Sequence, residues 1–395
     1  MFIQEGPKVS SVDRALRPSQ VLARRLFDGQ CLEGLPDQII EIDHGQIIAV
    51  RAAERAEIDD RTILSADIVA PGFIDLQING AGGAQFNFDP SVATLKRMAD
   101  AARKGGTAHI LPTFITAPGN SYFAAMDAVR DALAKGVSGI LGLHLEGPFL
   151  SPQRPGIHDG NSIRVMTRED IEALTEPFPG PLLVTLAPEC LPEGALQALV
   201  AAGVSVFAGH SEATAQTVLA AQKQGLCGVT HLFNAMSQLT GREPGVVGAV
   251  FASRALFAGI IADGHHVAVE NLQIAARLLG DRLCLVTDAM LTLGSDLQQF
   301  ELNGQTIYLR DGRLTNVQGT LAGAHIGMDE SVRNMFAFCG LSLGAVLNMA
   351  SHNPAAALGL GGELGMVRPN YRASLTLLTD DLHTQAVVVD GVTSE

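Results

Sequence analysis

Residues 122–150 read YFAAMDAVRDALAKGVSGILGLHLEGPFL. The first part, Tyr122 to Ala134, is an Ala-rich helical segment. After Lys135-Gly136 the run Gly139 to Leu145 is apolar and β-like, and it stops at Glu146-Gly147-Pro148. A helix feeding an apolar strand that ends in polar residues is the repeating unit of an α/β fold.

The same rhythm extends in both directions. Apolar β-type runs fall at Ile68 to Leu76, Ala108 to Leu111, Gly139 to Leu145, Leu182 to Leu186, Val204 to Ala208, Gly228 to Thr230, Leu256 to Ile261 and Leu283 to Val286. Helical stretches such as Ser91 to Arg103 and Ala213 to Gln224 lie between many of them. Eight strands in βα alternation favour an α/β (β/α)8 TIM-like barrel, with an open doubly wound sheet as the runner-up. The stretch Phe300 to Leu314, with Asp311-Gly312 as its turn, reads as a β insertion before the last barrel helix. Outside the barrel, Gln38 to Ile42 and Gln46 to Val50 flank His44-Gly45 as a hairpin. Ala373 to Leu378 and Ala386 to Val389 read as strands at the other end. The expected organisation is residues 1–70 plus 361–395 as a small β-sandwich and 71–360 as the barrel.

The 395 residues carry 27 Lys plus Arg against 41 Asp plus Glu, a formal charge of −14, with 47% apolar and 17% charged residues. That excludes a disordered chain and argues against nucleic acid as a partner. It does not argue against a small anion, which needs only a local cation or two. The five cysteines form no C-x-x-C pair, so neither a disulfide framework nor a thiolate zinc site is expected. The first twenty residues lack a signal-peptide core, and no apolar run reaches the roughly 18–20 residues of a membrane span. A cytoplasmic protein without membrane contact is expected.

In a barrel, reactive groups sit at the C-terminal ends of strands. The ends here are Asp75-Leu76-Gln77-Ile78-Asn79, His144-Leu145-Glu146, Gly209-His210-Ser211, Thr230-His231 and Thr287-Asp288. One carboxylate and two imidazoles, Glu146, His210 and His231, suit a divalent ion such as zinc with a position left for water. Taken singly, each is equally readable as a structural residue. Asp288 reads either as a cap on the following turn or as a general base beside a metal-bound water. His158, after the Gly/Pro-rich loop Gly147 to Gly156, reads as a surface histidine or as a group that polarises a carbonyl. Arg242, framed by glycines, and the pair His265-His266 read as solvated loop residues or as an anion site. His109 reads as a core histidine.

Nine strings occur in order: PGFIDLQINGAGG (71–83), HLEGPFL (144–150), PGIHD (155–159), AGHSEAT (208–214), THLFNAM (230–236), GREPGVVGA (241–249), DGHHV (263–267), VTDAM (286–290) and NPAAALGL (353–360). Together they make the chain resemble the N-acetylglucosamine-6-phosphate deacetylase family of the amidohydrolase superfamily, over nearly its whole length. The resemblance implies a metal-dependent hydrolase that removes acetate from the 2-acetamido group of an amino-sugar 6-phosphate. It implies Glu146, His210 and His231 as ligands of one divalent ion, zinc first, with iron, cobalt or manganese as alternatives. It implies Asp288 as acid and base, and His158, Asn234 and Ala235 at the substrate. Arg242 and His266 would take the phosphate, and Leu321, Ala322 and Gly323 would flank the sugar. A homodimer with a phosphate pocket shared between subunits is also implied.

The sequence departs from the wider superfamily where an H-x-H pair commonly ends the first strand. Gln77 and Asn79 stand there, weak ligands that line the site without holding a second metal, so one ion is expected. His325 stands where a small polar residue is more usual, which bears on sugar specificity. Three readings remain open: deacetylation of the N-acetylglucosamine or the N-acetylgalactosamine phosphate, hydrolysis of a cyclic amide or dipeptide, and a barrel without catalysis.

Overall fold

The computed structural model describes residues 17–393; residues 1–16, which include most of the stretch read for a signal core, and 394–395 lie outside the described residues. Strands β1 (Gln20–Leu26), β2 (Leu35–Asp43), β3 (Gln46–Ala52) and β4 (Leu64–Pro71) come first. The β2–β3 hairpin turns on His44 and Gly45, both at positive φ (46° and 79°), the backbone a two-residue turn requires.

The apolar run expected as one strand over Ile68 to Leu76 is two. β4 ends at Pro71 and β5 (Phe73–Ile78) begins the barrel. Gly72 marks the break because there is no room for a side chain: a Cβ there would come 2.7 Å from the Cβ of Ala108 and 3.0 Å from the carbonyl carbon of Ser374. Both strands are apolar, so composition alone could not divide them.

After the short hairpin β6 (Gly80–Ala81) and β7 (Ala84–Gln85), the barrel continues. Its strands are β8 (Thr107–Ile115), β9 (Leu143–Glu146), β10 (Leu182–Leu186), β11 (Ser205–Ala208), β12 (Gly228–Val229), β13 (Phe257–Ile260) and β14 (Leu283–Leu285). Helices on the outside bury their apolar stripes against these strands; Val92–Arg103, for example, buries Leu95, Met98, Ala99 and Ala102. The strands form one parallel sheet in the order β14-β13-β12-β11-β10-β9-β8-β5. This is the expected barrel, and the doubly wound alternative is not observed.

The expected insertion is a four-stranded antiparallel sheet of β15 (Gln299–Leu302), β16 (Gln305–Arg310), β17 (Arg313–Thr315) and β18 (Leu321–Ala324). The helix Met328–Cys339 follows it. Last come β19 (Leu375–Leu378), β20 (Thr384–Val389) and β21 (Val392–Thr393). These join the N-terminal strands in one sheet, β21-β20-β19-β4-β1-β2-β3, through the β4–β19 pairing Leu375↔Pro71 to Leu378↔Ile68. Ile40 and Ile47 from one end of this sheet share a core with Leu375 and Val388 from the other, so the sheet folds over on itself as a sandwich. Among the described residues no helix is long and apolar enough to cross a membrane.

Candidate active site

The polar residues at the strand ends converge on one cavity of about 180 Å³. Its lining includes Asn79, Glu146, His158, His210, His231, Asn234, Ala235, His266, Asp288, Leu321 and Gly323. A larger groove beside Pro188 and Gln216 has Glu193 as its only charged lining residue and shares no lining residue with this cavity. The chemistry therefore belongs to the barrel mouth.

Three of the reactive side chains stand on left-handed backbone: His210 at φ 47°, His231 at 30° and Asp288 at 48°. Non-glycine residues rarely adopt this region, and the strain concentrates where strands must turn sharply to aim side chains inward.

Glu146 ends β9 and is buried, as are His210 and His231. Its Oε1 lies 3.0 Å from His210 Nε2 and 2.9 Å from His231 Nε2, and those two nitrogens are 3.0 Å apart. His210 Nδ1 is 2.9 Å from the carbonyl oxygen of Arg154, which can only accept, so that nitrogen carries the proton and Nε2 presents a lone pair. Gly156 lets this loop pass the ring: its φ is 57° and a Cβ would come 3.0 Å from His210 Cε1.

Lewis bases converging this closely need a proton or a cation between them. Tetrahedral bonds of about 2.0–2.1 Å would set ligand atoms about 3.3 Å apart, so Glu146, His210 and His231 fit a divalent ion with little adjustment. His158 also belongs to a group with Glu146 and His210 whose donor atoms lie within 4.8 Å of one another. Its Nε2 stands further off, 3.9 Å from Glu146 Oε1, while its Nδ1 is 2.8 Å from Thr116 Oγ1. The closer set is the better ligand set.

The electrostatics follow from burial. Burial opposes ionisation of Glu146, but the imidazoles of His210 and His231 set against it outweigh that and hold the carboxyl well below the usual range. Burial pushes His158 down to about 3, so its ring is neutral at pH 7. Asp288 is pushed up to about 6, first by burial and then by the negative Glu146.

Asp288 is held from one side. Its Oδ1 accepts from Asn79 Nδ2 at 2.6 Å and from Gln77 Nε2 at 3.1 Å, and Gln77 Nε2 also reaches Glu146 Oε2 at 3.2 Å. The Gln77 amide, near the end of β5, therefore donates between the two carboxylates, and Asn79 beside it donates to Asp288 alone. His266 lines the cavity, whereas His265 is exposed, and Asp263 Oδ2 holds His266 Nδ1 at 2.6 Å.

Two expected contacts stand elsewhere in the chain. Arg242 is exposed on its loop and is not among the cavity-lining residues. Ala322 is buried in the core of the four-stranded sheet, between its lining neighbours Leu321 and Gly323, because alternate strand residues face opposite ways. Lining residues that the sequence did not single out are Ile115 and Thr320, together with Ile157 and Met290, which lie within the PGIHD and VTDAM strings but carry no reactive group. His325 pairs with Thr292 at 3.0 Å and is not among the lining residues.

The amidohydrolase family pattern matches residues 68–393. The chain is 39% identical to the N-acetylglucosamine-6-phosphate deacetylase of Haemophilus influenzae over 355 residues, covering 89% of this chain and 93% of that protein. It is also 39% identical to the N-acetylgalactosamine-6-phosphate deacetylase of a Shewanella species over 357 residues, covering 89% and 90%. Among solved structures, a mutant N-acetyl-D-glucosamine-6-phosphate deacetylase of Mycobacterium smegmatis, in complex with N-acetyl-D-glucosamine-6-phosphate, superposes with a TM-score of 0.86 at 31% identity, covering 95% of this chain and 98% of that one. The chain belongs to the amidohydrolase family, among its amino-sugar-6-phosphate deacetylases.

Proposed function

We propose that the chain hydrolyses the 2-acetamido group of N-acetylglucosamine 6-phosphate, releasing acetate and the amino-sugar phosphate. The observation that carries this reading is the convergence of Glu146 Oε1, His210 Nε2 and His231 Nε2 within 3.0 Å of one another, beside a separately held Asp288. Glu146, His210 and His231 would hold one divalent ion, zinc foremost. When bound, such an ion lowers the pKa of a water and polarises a carbonyl.

The residues do the rest. Asp288, its Oδ1 taken up by Asn79 and Gln77, has Oδ2 without a donor among the described residues, so that Oδ2 would accept a proton from the attacking water. It then returns that proton to the departing nitrogen, which would otherwise leave as a very poor amide anion. The Thr116 hydroxyl stands 2.8 Å from His158 Nδ1 and 3.3 Å from the Glu146 carbonyl; given to the nearer Nδ1, its proton would leave the His158 proton on Nε2 to stabilise the carbonyl oxygen. Asn234, Ala235, Leu321 and Gly323 shape the sugar subsite, with Ala322 supporting it from behind.

His266, oriented by Asp263, takes the phosphate with Arg242. The exposure of Arg242 outside its own cavity supports delivery to the neighbouring subunit of a homodimer. Five unpaired cysteines support a cytoplasmic setting. A second reading, preference for the N-acetylgalactosamine phosphate, is favoured by the equal identity to the Shewanella relative. Measuring acetate release from both phosphates and from unphosphorylated N-acetylglucosamine tests the reading. The N-acetylglucosamine phosphate should be the fastest, and absence of release from either phosphate would overturn it.

A further inference from the structure

The barrel's first and last strands are not paired as neighbours in a ladder among the described residues. A single bridge, Ile78↔Ala289, crosses this seam beyond the end of β14. The Asp288 N–H donates to the Gln77 carbonyl at 2.8 Å, and the Asn79 N–H donates to the Ala289 carbonyl at 2.8 Å. One turn deeper, a side chain does the joining. Asp75 Oδ1 accepts from the Gln77 N–H at 3.1 Å and from the Thr287 N–H at 3.2 Å, one from each side of the seam. Its Oδ2 takes the Thr287 hydroxyl at 2.5 Å.

Asp75 is wholly buried and is not among the cavity-lining residues, so no step of the reaction touches it. A buried carboxylate needs compensating donors, and here all three come from the two residues that flank Asp288's position. Thr287 is the residue before Asp288 and feeds its left-handed backbone. Gln77 carries the amide that donates to Asp288 Oδ1.

We propose that Asp75 is a positioning residue: its carboxylate closes the barrel seam and aims Asp288 at the scissile amide. The proposal rests on the reading of Asp288 as acid and base. Asp75 fixes the backbone entering Asp288 through Thr287, and the side chain holding Asp288 through Gln77. The ligand set, at and just beyond the ends of β9, β11 and β12, shares only the Gln77 amide, 3.2 Å from Glu146 Oε2, with this arrangement. Loss of Asp75 should therefore lower the rate of proton transfer without releasing metal.

The test compares Asp75→Ala, Asp75→Asn, Thr287→Val and Asp288→Asn in the metal-loaded full chain with N-acetylglucosamine 6-phosphate, measuring kcat, KM and metal per chain. Asp75→Ala should lower kcat about 10- to 100-fold, leave KM within about threefold, and retain its metal. Asp75→Asn should recover to within about threefold of wild type, as expected of a conservative change. Its amide oxygen keeps both N–H bonds and its NH2 can donate to the Thr287 hydroxyl. Thr287→Val removes the hydroxyl bond to Asp75, together with the acceptor of the Ala289 N–H at 3.2 Å, while leaving both N–H bonds to Asp75, and should lower kcat about tenfold; it carries the test if Asp75→Ala does not fold. Wild-type kcat in Asp75→Ala, or in Thr287→Val, overturns the proposal. So does a kcat loss matched by metal loss, or no recovery in Asp75→Asn. An active Asp288→Asn would instead overturn the acid/base reading, and this proposal with it.

Discussion

Replacing Asp288 by Asn isolates the proton-transfer role more cleanly than any other change in the cavity. The left-handed φ of 48° is one that Asn adopts nearly as readily as Asp. The side-chain oxygen can still accept from Asn79 at 2.6 Å and Gln77 at 3.1 Å. Two charge-assisted bonds become neutral ones, a loss of about 1 kcal/mol each. Against that, a charge whose burial pushes the carboxyl up to about 6 is removed. Net stability should shift by no more than about 2 kcal/mol. Asp288→Ala is the poorer probe. It places Ala in the left-handed region at about 1–2 kcal/mol and strands two amide donors at about 1–3 kcal/mol each. Because one carboxylate serves both as base and as acid, kcat in Asp288→Asn should fall at least about 1000-fold, equivalent to about 4 kcal/mol of barrier. The assay is acetate release on enzyme with a measured metal content and a measured melting temperature. Turnover within tenfold of wild type, in a variant that keeps its metal and fold, would refute the role.

Other consequences follow from the same geometry. Glu146→Gln removes the anion at the centre of the ligand set, and metal affinity measured by competition with a chelator should fall more than about 100-fold. Elemental analysis of the wild type should give one ion per chain, since Gln77 and Asn79 offer only neutral amides, which are weak ligands, and turn their NH2 groups to Glu146 and Asp288. Arg242→Ala should raise KM for the phosphorylated sugar about 10- to 100-fold and leave the unphosphorylated sugar unaffected. Mixing it with Asp288→Asn should restore activity through hybrid dimers, and no recovery on subunit exchange would argue against a shared pocket. Burial raises the Asp170 carboxyl, but Arg164, Tyr122 and Thr167 outweigh that and hold it well below its ordinary value of 3.8. A depressed folded value stabilises above the unfolded one and is lost as pH falls. Arg164→Met should thus cost about 3 kcal/mol at pH 7, with the melting-temperature gap to wild type narrowing below pH 4.

The barrel was legible because its strands are apolar runs that end in polar residues, and that ending also located the cavity. Glu146, His210, His231 and Asp288 could each be picked out from a strand terminus. Their mutual distances could not, since Glu146 and His231 are 85 positions apart and meet only through barrel closure. The division at Gly72 was hidden because strands on both sides are equally apolar, and crowding against Ala108 and Ser374 decides it. Gln77 and Asn79 were visible as weak ligands, but their use as donors to Asp288 depends on a contact across 209 to 211 positions. Asp75 looked like one more strand-end polar residue until its three donors were placed around it.

The shared terminal sheet has a consequence for how the chain is made. β4 leaves the ribosome early, yet its partner β19 follows about 300 residues later. At roughly 5–20 residues per second that interval is on the order of 15–60 s. During it, the edge of β4 that will pair with β19 remains unpaired, and its Ile68-Val69-Ala70 stretch is apolar. Unpaired apolar edges recruit foreign strands. Synthesis in this order therefore places an aggregation risk in β4 until β19 is made, and a chain ending before residue 375 would keep that edge open for its whole lifetime.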